Sequence, residues 1–120
     1  MAKVLVVDDS STVRNEVSGF LSSNGIDVDT AVDGVDGLNK INRDNDIKLV
    51  LCDVNMPNMD GLTMVEKVKA AGKSLSIIML TTESSPSMKQ RGKDAGEKGW
   101  IVKPFNGNAA LGGIKKLIGM

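Results

Sequence analysis

Residues 48–61 read Lys-Leu-Val-Leu-Cys-Asp-Val-Asn-Met-Pro-Asn-Met-Asp-Gly. Leu49 through Cys52 is an unbroken apolar run, and Asp53 closes it. A run this short, ended by Asp, Asn, Pro and Gly, reads as a strand buried on both faces. At Met56-Pro57 the chain turns, because proline fixes its own φ and biases its predecessor away from helix. Asp53 is therefore expected at the carboxyl end of a buried strand, under a tight loop. In open α/β sheets that edge is where ligands bind.

Upstream, Val4–Val7 is a second continuous apolar run ending in Asp8-Asp9, and Ser10 and Ser11 offer N-cap hydroxyls. Val13, Val17, Phe20 and Leu21 keep helical spacing up to Asn24-Gly25. Ile26, Val28 and Thr30 alternate with Asp27 and Asp29, as in a half-exposed strand near a sheet edge. Asp33-Gly34 opens a helix with Val35, Leu38 and Ile41 on its apolar face, and Asn42–Asp46 reads as a loop.

Downstream, Leu62, Val65 and Val68 face inward from a helix ending at Gly72, and Ser76–Leu80 is a strand running into Thr81-Thr82-Glu83. Ser87–Lys98 is a poor helix on paper, with Gly92, Gly96 and only Met88 and Ala95 apolar. It is assigned as helix because a parallel sheet needs a crossover there. Trp100-Ile101-Val102 forms the last strand, closed by Lys103-Pro104-Phe105. A final helix presents Leu111, Ile114, Leu117 and Ile118 despite Gly112-Gly113. Five strand–helix repeats imply an α/β fold, a (βα)5 doubly wound parallel sheet, in a single domain over residues 1–120.

Composition narrows the chemistry. Lys plus Arg equals Asp plus Glu at 15 each, which gives no net basic charge to draw in nucleic acid. No apolar stretch is long enough to span a bilayer, and the N-terminal segment is too short and too quickly acidic for a signal peptide. With one cysteine there is no internal disulfide, so a reducing cytoplasm is the expected compartment. Histidine is absent, which excludes a His triad, a zinc-histidine site and a phosphohistidine. Tyr is absent and Phe and Trp total three, leaving few platforms for stacking a base or a flavin.

Parallel strands bring Asp8-Asp9, Asp53, Thr81 and Lys103 to one edge of the sheet. Up to three carboxylates there repel one another and invite a cation. Hard oxygen ligands, waters and a phosphate suit Mg²⁺. A carboxylate beside that ion can attack phosphorus and become an aspartyl phosphate. Lys103 supplies positive charge for phosphate oxygens, or else an ion pair that offsets the repulsion. The Thr81 hydroxyl can donate a hydrogen bond to a phosphate oxygen.

These residues carry a resemblance. Asp8-Asp9, Asp53-Val-Asn-Met-Pro-Asn-Met-Asp60-Gly61, Thr81 and Lys103-Pro104-Phe105 resemble, over the whole chain, the response-regulator receiver domains, in particular their single-domain CheY-like chemotaxis members. The resemblance implies a flavodoxin-like, CheY-like sheet of order 2-1-3-4-5 and a phosphorylation-activated switch of a two-component phosphorelay. It makes Asp53 the phosphoacceptor, with Asp9, Asp53 and the carbonyl of Asn55 as Mg²⁺ ligands and Asp8 helping through water. Thr81 becomes the switch hydroxyl, Lys103 the phosphoryl contact and Trp100 the aromatic switch. Asn55 and Glu83 become the residues that tune hydrolysis, and Lys103-Pro104 a cis bond. Implied partners are a CheA-like histidine kinase, a downstream target such as the flagellar motor switch, and a phosphatase. The implied protein is a cytoplasmic monomer that binds no nucleic acid and catalyses only its own phosphorylation and dephosphorylation.

Three residues or stretches depart from the family pattern: Trp100 where Tyr or Phe is usual, the polar fourth helix, and Gly112-Gly113. All lie near the fourth helix, fifth strand and fifth helix, the face the family uses for output. Weak binding to a motor switch peptide is the resulting expectation, and a phosphate sink is the other role within the family. Outside it, a haloacid-dehalogenase-type Mg²⁺ hydrolase or phosphotransferase also uses a strand-end Asp. Neither Asp8-Asp9-Ser10 nor Asp53-Val54-Asn55 fits its Asp-x-Asp-x-Thr pattern. A flavodoxin-like carrier would need a Ser, Thr and Gly-rich phosphate loop where Asp8-Asp9 stands.

Overall fold

The apolar runs found in the sequence become adjacent strands. In the computed structural model, which describes residues 2–120, the chain alternates β1 (Lys3–Val7), α1 (Ser11–Ser23), β2 (Asp27–Ala31), α2 (Gly34–Arg43) and β3 (Ile47–Cys52). It continues as α3 (Gly61–Ala70), β4 (Ser76–Thr81), α4 (Pro86–Asp94), β5 (Gly99–Val102) and α5 (Gly107–Leu117). All strand pairs are parallel and the order is β2-β1-β3-β4-β5. This is the (βα)5 arrangement expected from the sequence.

Successive strand residues point to opposite faces, so each central strand feeds two cores. Leu5, Val7, Val50, Cys52, Ile77 and Met79 pack with Leu62, Val65 and Val68 of α3 and Ile41 of α2. Val4, Val6, Leu49, Leu51, Ile78 and Leu80 pack with Val17 and Leu21 of α1 and Ile114 of α5. This is why the central strands are continuously apolar and do not alternate.

Three sequence expectations, on Val35, the Asn42 loop and the fourth helix, are corrected in detail. Val35 does not face the core but is 41% exposed, since Leu38 and Ile41 already fill the inward side of α2. The loop expected from Asn42 begins later, because α2 runs to Arg43 and Asp44 caps it. β5 is an edge strand, as the order 2-1-3-4-5 implied, and is nowhere fully buried, with Val102 46% exposed. The fourth helix starts one residue earlier than expected and stops at Asp94, short of Lys98. Ser85 caps its first turn with Pro86 at the helix start. Its two apolar side chains still reach the core, Ala95 buried and Met88 packed against it.

Candidate functional site

Local chemistry positions each acid. Asp8 follows β1 and turns its carboxylate back onto the chain, where Oδ1 accepts the Ser10 backbone N–H at 2.9 Å. Its carbonyl accepts from Arg14 Nη1 at 2.6 Å. Asp8 is 2% exposed, whereas Asp9, next along the chain, is exposed. Asp53 follows β3, and its Oδ1 accepts the Val54 N–H at 2.7 Å. Carboxylate oxygens of Asp8, Asp9 and Asp53 lie within 4.8 Å of one another.

Lys103, which follows β5 at the same carboxyl edge of the sheet, closes this cluster. Its Nζ lies 2.8 Å from Asp8 Oδ2 and 3.2 Å from Asp53 Oδ2. Burial alone would lower the Lys103 pKa, but the Asp8 hydrogen bond and the Asp53 and Asp8 charges outweigh it and raise it. The ammonium therefore stays charged across the physiological range. The Lys103-Pro104 bond is cis, as the resemblance implied. The Lys103 backbone N–H donates to the Thr81 carbonyl at 2.9 Å, which ties the β5–α5 loop to the end of β4.

Thr81 is fully buried. Its Oγ1 accepts the Glu83 N–H at 3.2 Å. Glu83 joins the other residues expected around the site: its Oε1 accepts from Asn55 Nδ2 at 2.6 Å, and its carbonyl accepts from Trp100 Nε1 at 2.8 Å. One residue thus touches the Thr81 hydroxyl, the residue two after Asp53, and the aromatic of β5.

The loop that holds Asp53 rests on contacts the sequence did not disclose. A Cβ on Gly61 would lie 1.8 Å from the Asp53 carbonyl oxygen, so only glycine lets α3 start against the strand end. Asp60 caps α3 through the Thr63 N–H at 2.8 Å. Asn58 sits at φ 67, a left-handed conformation Asn tolerates, and its Nδ2 donates to Asp33 Oδ2 at 2.7 Å. Asp33 in turn caps α2 through the Asp36 N–H at 2.8 Å. The Asp36 N–H and Asn58 bonds hold the Asp33 carboxyl below its ordinary pKa. Asp33 reads in the sequence only as a helix start, and nothing there signals its bond to Asn58, 25 residues away. Beneath Asp53, Cys52 is a buried free thiol whose pKa burial pushes well up, helped by the Asp53, Asp8 and Asp60 charges.

The donor set is all carboxylate oxygen, two of the three residues buried, with one lysine beside it. That set suits a hard divalent cation such as Mg²⁺ and a phosphoryl group better than a soft metal.

Residues 4–114 match the family described as Response regulator receiver domain. The response regulator MprA of Mycobacterium leprae is 39% identical over 116 residues, covering 97% of this chain and 50% of that protein. The chain thus spans about half the length of the curated relatives it matches. The solved Vibrio cholerae chemotaxis protein CheY4 is 43% identical, with a TM-score of 0.88 and 98% of each chain covered. Response regulator TrrA from Thermotoga maritima, solved in complex with Mg²⁺ and a beryllium fluoride, is 32% identical. It has a TM-score of 0.86, covering 98% of this chain and 99% of that one.

Proposed function

The chain belongs to the response regulator receiver domain family, and on that premise we propose that Asp53 is the residue through which it takes up a phosphoryl group. Receiver domains are phosphoacceptor switches of two-component systems, not enzymes with an external substrate. The observation that carries the assignment is the seat of Asp53, a buried carboxylate at the end of the central strand that shares a lysine with Asp8.

A carboxylate oxygen of Asp53 attacks the phosphorus of the donor, a histidine kinase or a small acyl phosphate. The P–O or P–N bond to the leaving group breaks, and a mixed anhydride forms on Asp53. Asp9, Asp53 and the Asn55 carbonyl would hold Mg²⁺, with Asp8 assisting through water. Bound there, the ion would neutralise charge on the incoming phosphoryl group. Lys103, now bridging Asp8 and Asp53, would pair with a phosphoryl oxygen instead. Thr81 would trade the Glu83 N–H for a bond to another. Glu83 and Trp100 would follow, carrying the local charge event to β5.

The likeness to CheY4 supports a role in chemotaxis or motility, with a CheA-like kinase as donor, a protein target such as the motor switch or a phosphate-sink role, and a phosphatase to reset it. The likeness to half of MprA favours a second reading, a receiver that governs an attached or separate output domain.

With Mg²⁺ and acetyl phosphate, intact-mass measurement should show one phosphoryl group on the wild type and none on Asp53→Asn. Normal labelling of the variant rejects Asp53.

A further inference from the structure

The two acids that follow β1 are held very differently. Every polar atom of Asp8 has a partner. Its N–H donates to the Ala31 carbonyl at 3.1 Å, Oδ1 accepts the Ser10 N–H at 2.9 Å, and Oδ2 pairs with Lys103 Nζ at 2.8 Å. Asp9 is exposed, and among the described residues neither its carboxylate nor its N–H has a hydrogen bond or ion pair. Its carboxylate nonetheless lies within 4.8 Å of those of Asp8 and Asp53. The peptide that joins Asp8 to Asp9 therefore sets where Asp9 stands. One bond fixes that peptide: Arg14 Nη1 donates to the Asp8 carbonyl at 2.6 Å.

Helix formation does not account for an arginine here. Arg14 is the fourth residue of α1, whose first turn holds no acid. A cation near a helix N-terminus opposes the helix dipole. Arg14 is half-buried and, among the described residues, has no ion pair to offset that. Helix side chains lean toward the N-terminus, which brings the guanidinium back to the end of β1. The Arg14 N–H also closes the first turn on the Ser10 carbonyl at 3.0 Å, and the Ser10 hydroxyl caps that turn through the Val13 N–H. The helix start and the acid pair are thus joined at both ends of one short segment.

We infer, resting on the receiver reading above, that Arg14 is a positioning residue for the metal site. By clamping the Asp8 carbonyl it fixes the Asp8–Asp9 peptide and so aims the otherwise unheld Asp9 at a cation shared with Asp53. Arg14 bonds a backbone carbonyl, not a carboxylate, and acts through Asp9. Groups that orient metal ligands commonly carry tenfold or more of the metal affinity. Charge alone predicts the opposite sign. A guanidinium beside an acid cluster repels a divalent cation, so deleting it would tighten binding. Loss of the clamp loosens it.

The test is calorimetric titration of the full chain with Mg²⁺. Arg14→Ala should bind Mg²⁺ roughly tenfold more weakly. Arg14→Lys, which keeps a donor on a long stem, should recover part of that loss, and Arg43→Ala on α2 should match wild type. Urea melts without Mg²⁺ establish that each variant folds. Arg14→Met, which keeps the stem and removes the donors, reads the same loss where Arg14→Ala does not fold. In acetyl phosphate labelling, the Mg²⁺ concentration for half-maximal rate should rise by more than the rate at saturating Mg²⁺ falls. Unchanged or tighter Mg²⁺ binding by the folded variants overturns the inference. So does a loss confined to the saturated labelling rate, or a wild type that binds no Mg²⁺. The two claims separate in the same samples. Labelled wild type with unchanged Mg²⁺ binding in Arg14→Ala rejects Arg14 alone. Normal labelling of Asp53→Asn, with Mg²⁺ binding still weakened in Arg14→Ala, rejects the phosphoacceptor alone.

Discussion

β3 and β5 are parallel strands of one sheet, yet they are built differently. β3 is buried at every position but Lys48 and is followed by Asp53, itself 8% exposed. β5 is never fully buried, ends in an exposed Val102, and carries Trp100 over a helix with little apolar content. Asp53 is held by the Val54 N–H, by Lys103 and by the start of α3 packed against its carbonyl, the fixed seat that the proposed phosphoryl chemistry requires. The edge is less buried, and the proposed switch would need two arrangements of it close in free energy. Burial and the acid cluster concentrate at the centre, and exposure rises at the edge.

Truncation at the two places measures that contrast most directly. Leu51→Ala in β3, at a site 1% exposed, should cost about 2–5 kcal/mol. Ile101→Ala in half-buried β5 should cost about 1 kcal/mol. Urea denaturation reads both, and equal losses would erase the distinction.

The same small change at two glycines sharpens it. Gly61→Ala places a methyl 1.8 Å from the Asp53 carbonyl oxygen, so the backbone under the acceptor must move. It should destabilise by about 1–3 kcal/mol and slow acetyl phosphate labelling. Labelling at the wild-type rate would show that the acceptor needs no such fixed seat.

The loop beneath Asp53 has an acid limb of its own. The Asp33 carboxyl has a lowered pKa in the folded protein, so its contribution is present above the unfolded value and is lost as pH falls through and below about 4. Asp33→Asn keeps a capping oxygen without the charge, so stability should fall less steeply there, by about 1 kcal/mol. Melting scans across that range decide it, and identical slopes would remove Asp33 from the account.

The smallest effect belongs at the edge. In Gly92→Ala a new methyl meets the Trp100 ring at 3.1 Å, and the gain in helix propensity offsets part of the crowding. Net stability should stay within about 0.5 kcal/mol of wild type, while Trp100 emission shifts. A large loss with unmoved emission would mean the ring is locked and β5 is no looser than β3.

The glycine that weakens α4 in the sequence is the residue that seats the Trp100 ring. A propensity defect read locally became a packing requirement once β5 lay against α4.

Sequence alone determined the parallel α/β plan. Continuous apolar runs with polar ends leave no other way to bury two-sided strands. It also brought Asp8, Asp9, Asp53, Thr81 and Lys103 to one edge, because parallel strands align their carboxyl ends. Only the tertiary structure decided the rest. It showed that Lys103 bridges Asp8 and Asp53, that Glu83 links Asn55, Thr81 and Trp100, that Asp33 holds the loop under the site through Asn58, and that Val35 points to solvent. Each of these depends on side-chain reach between segments distant in the chain. Periodicity and capping act over a few residues and carry no information about such distances.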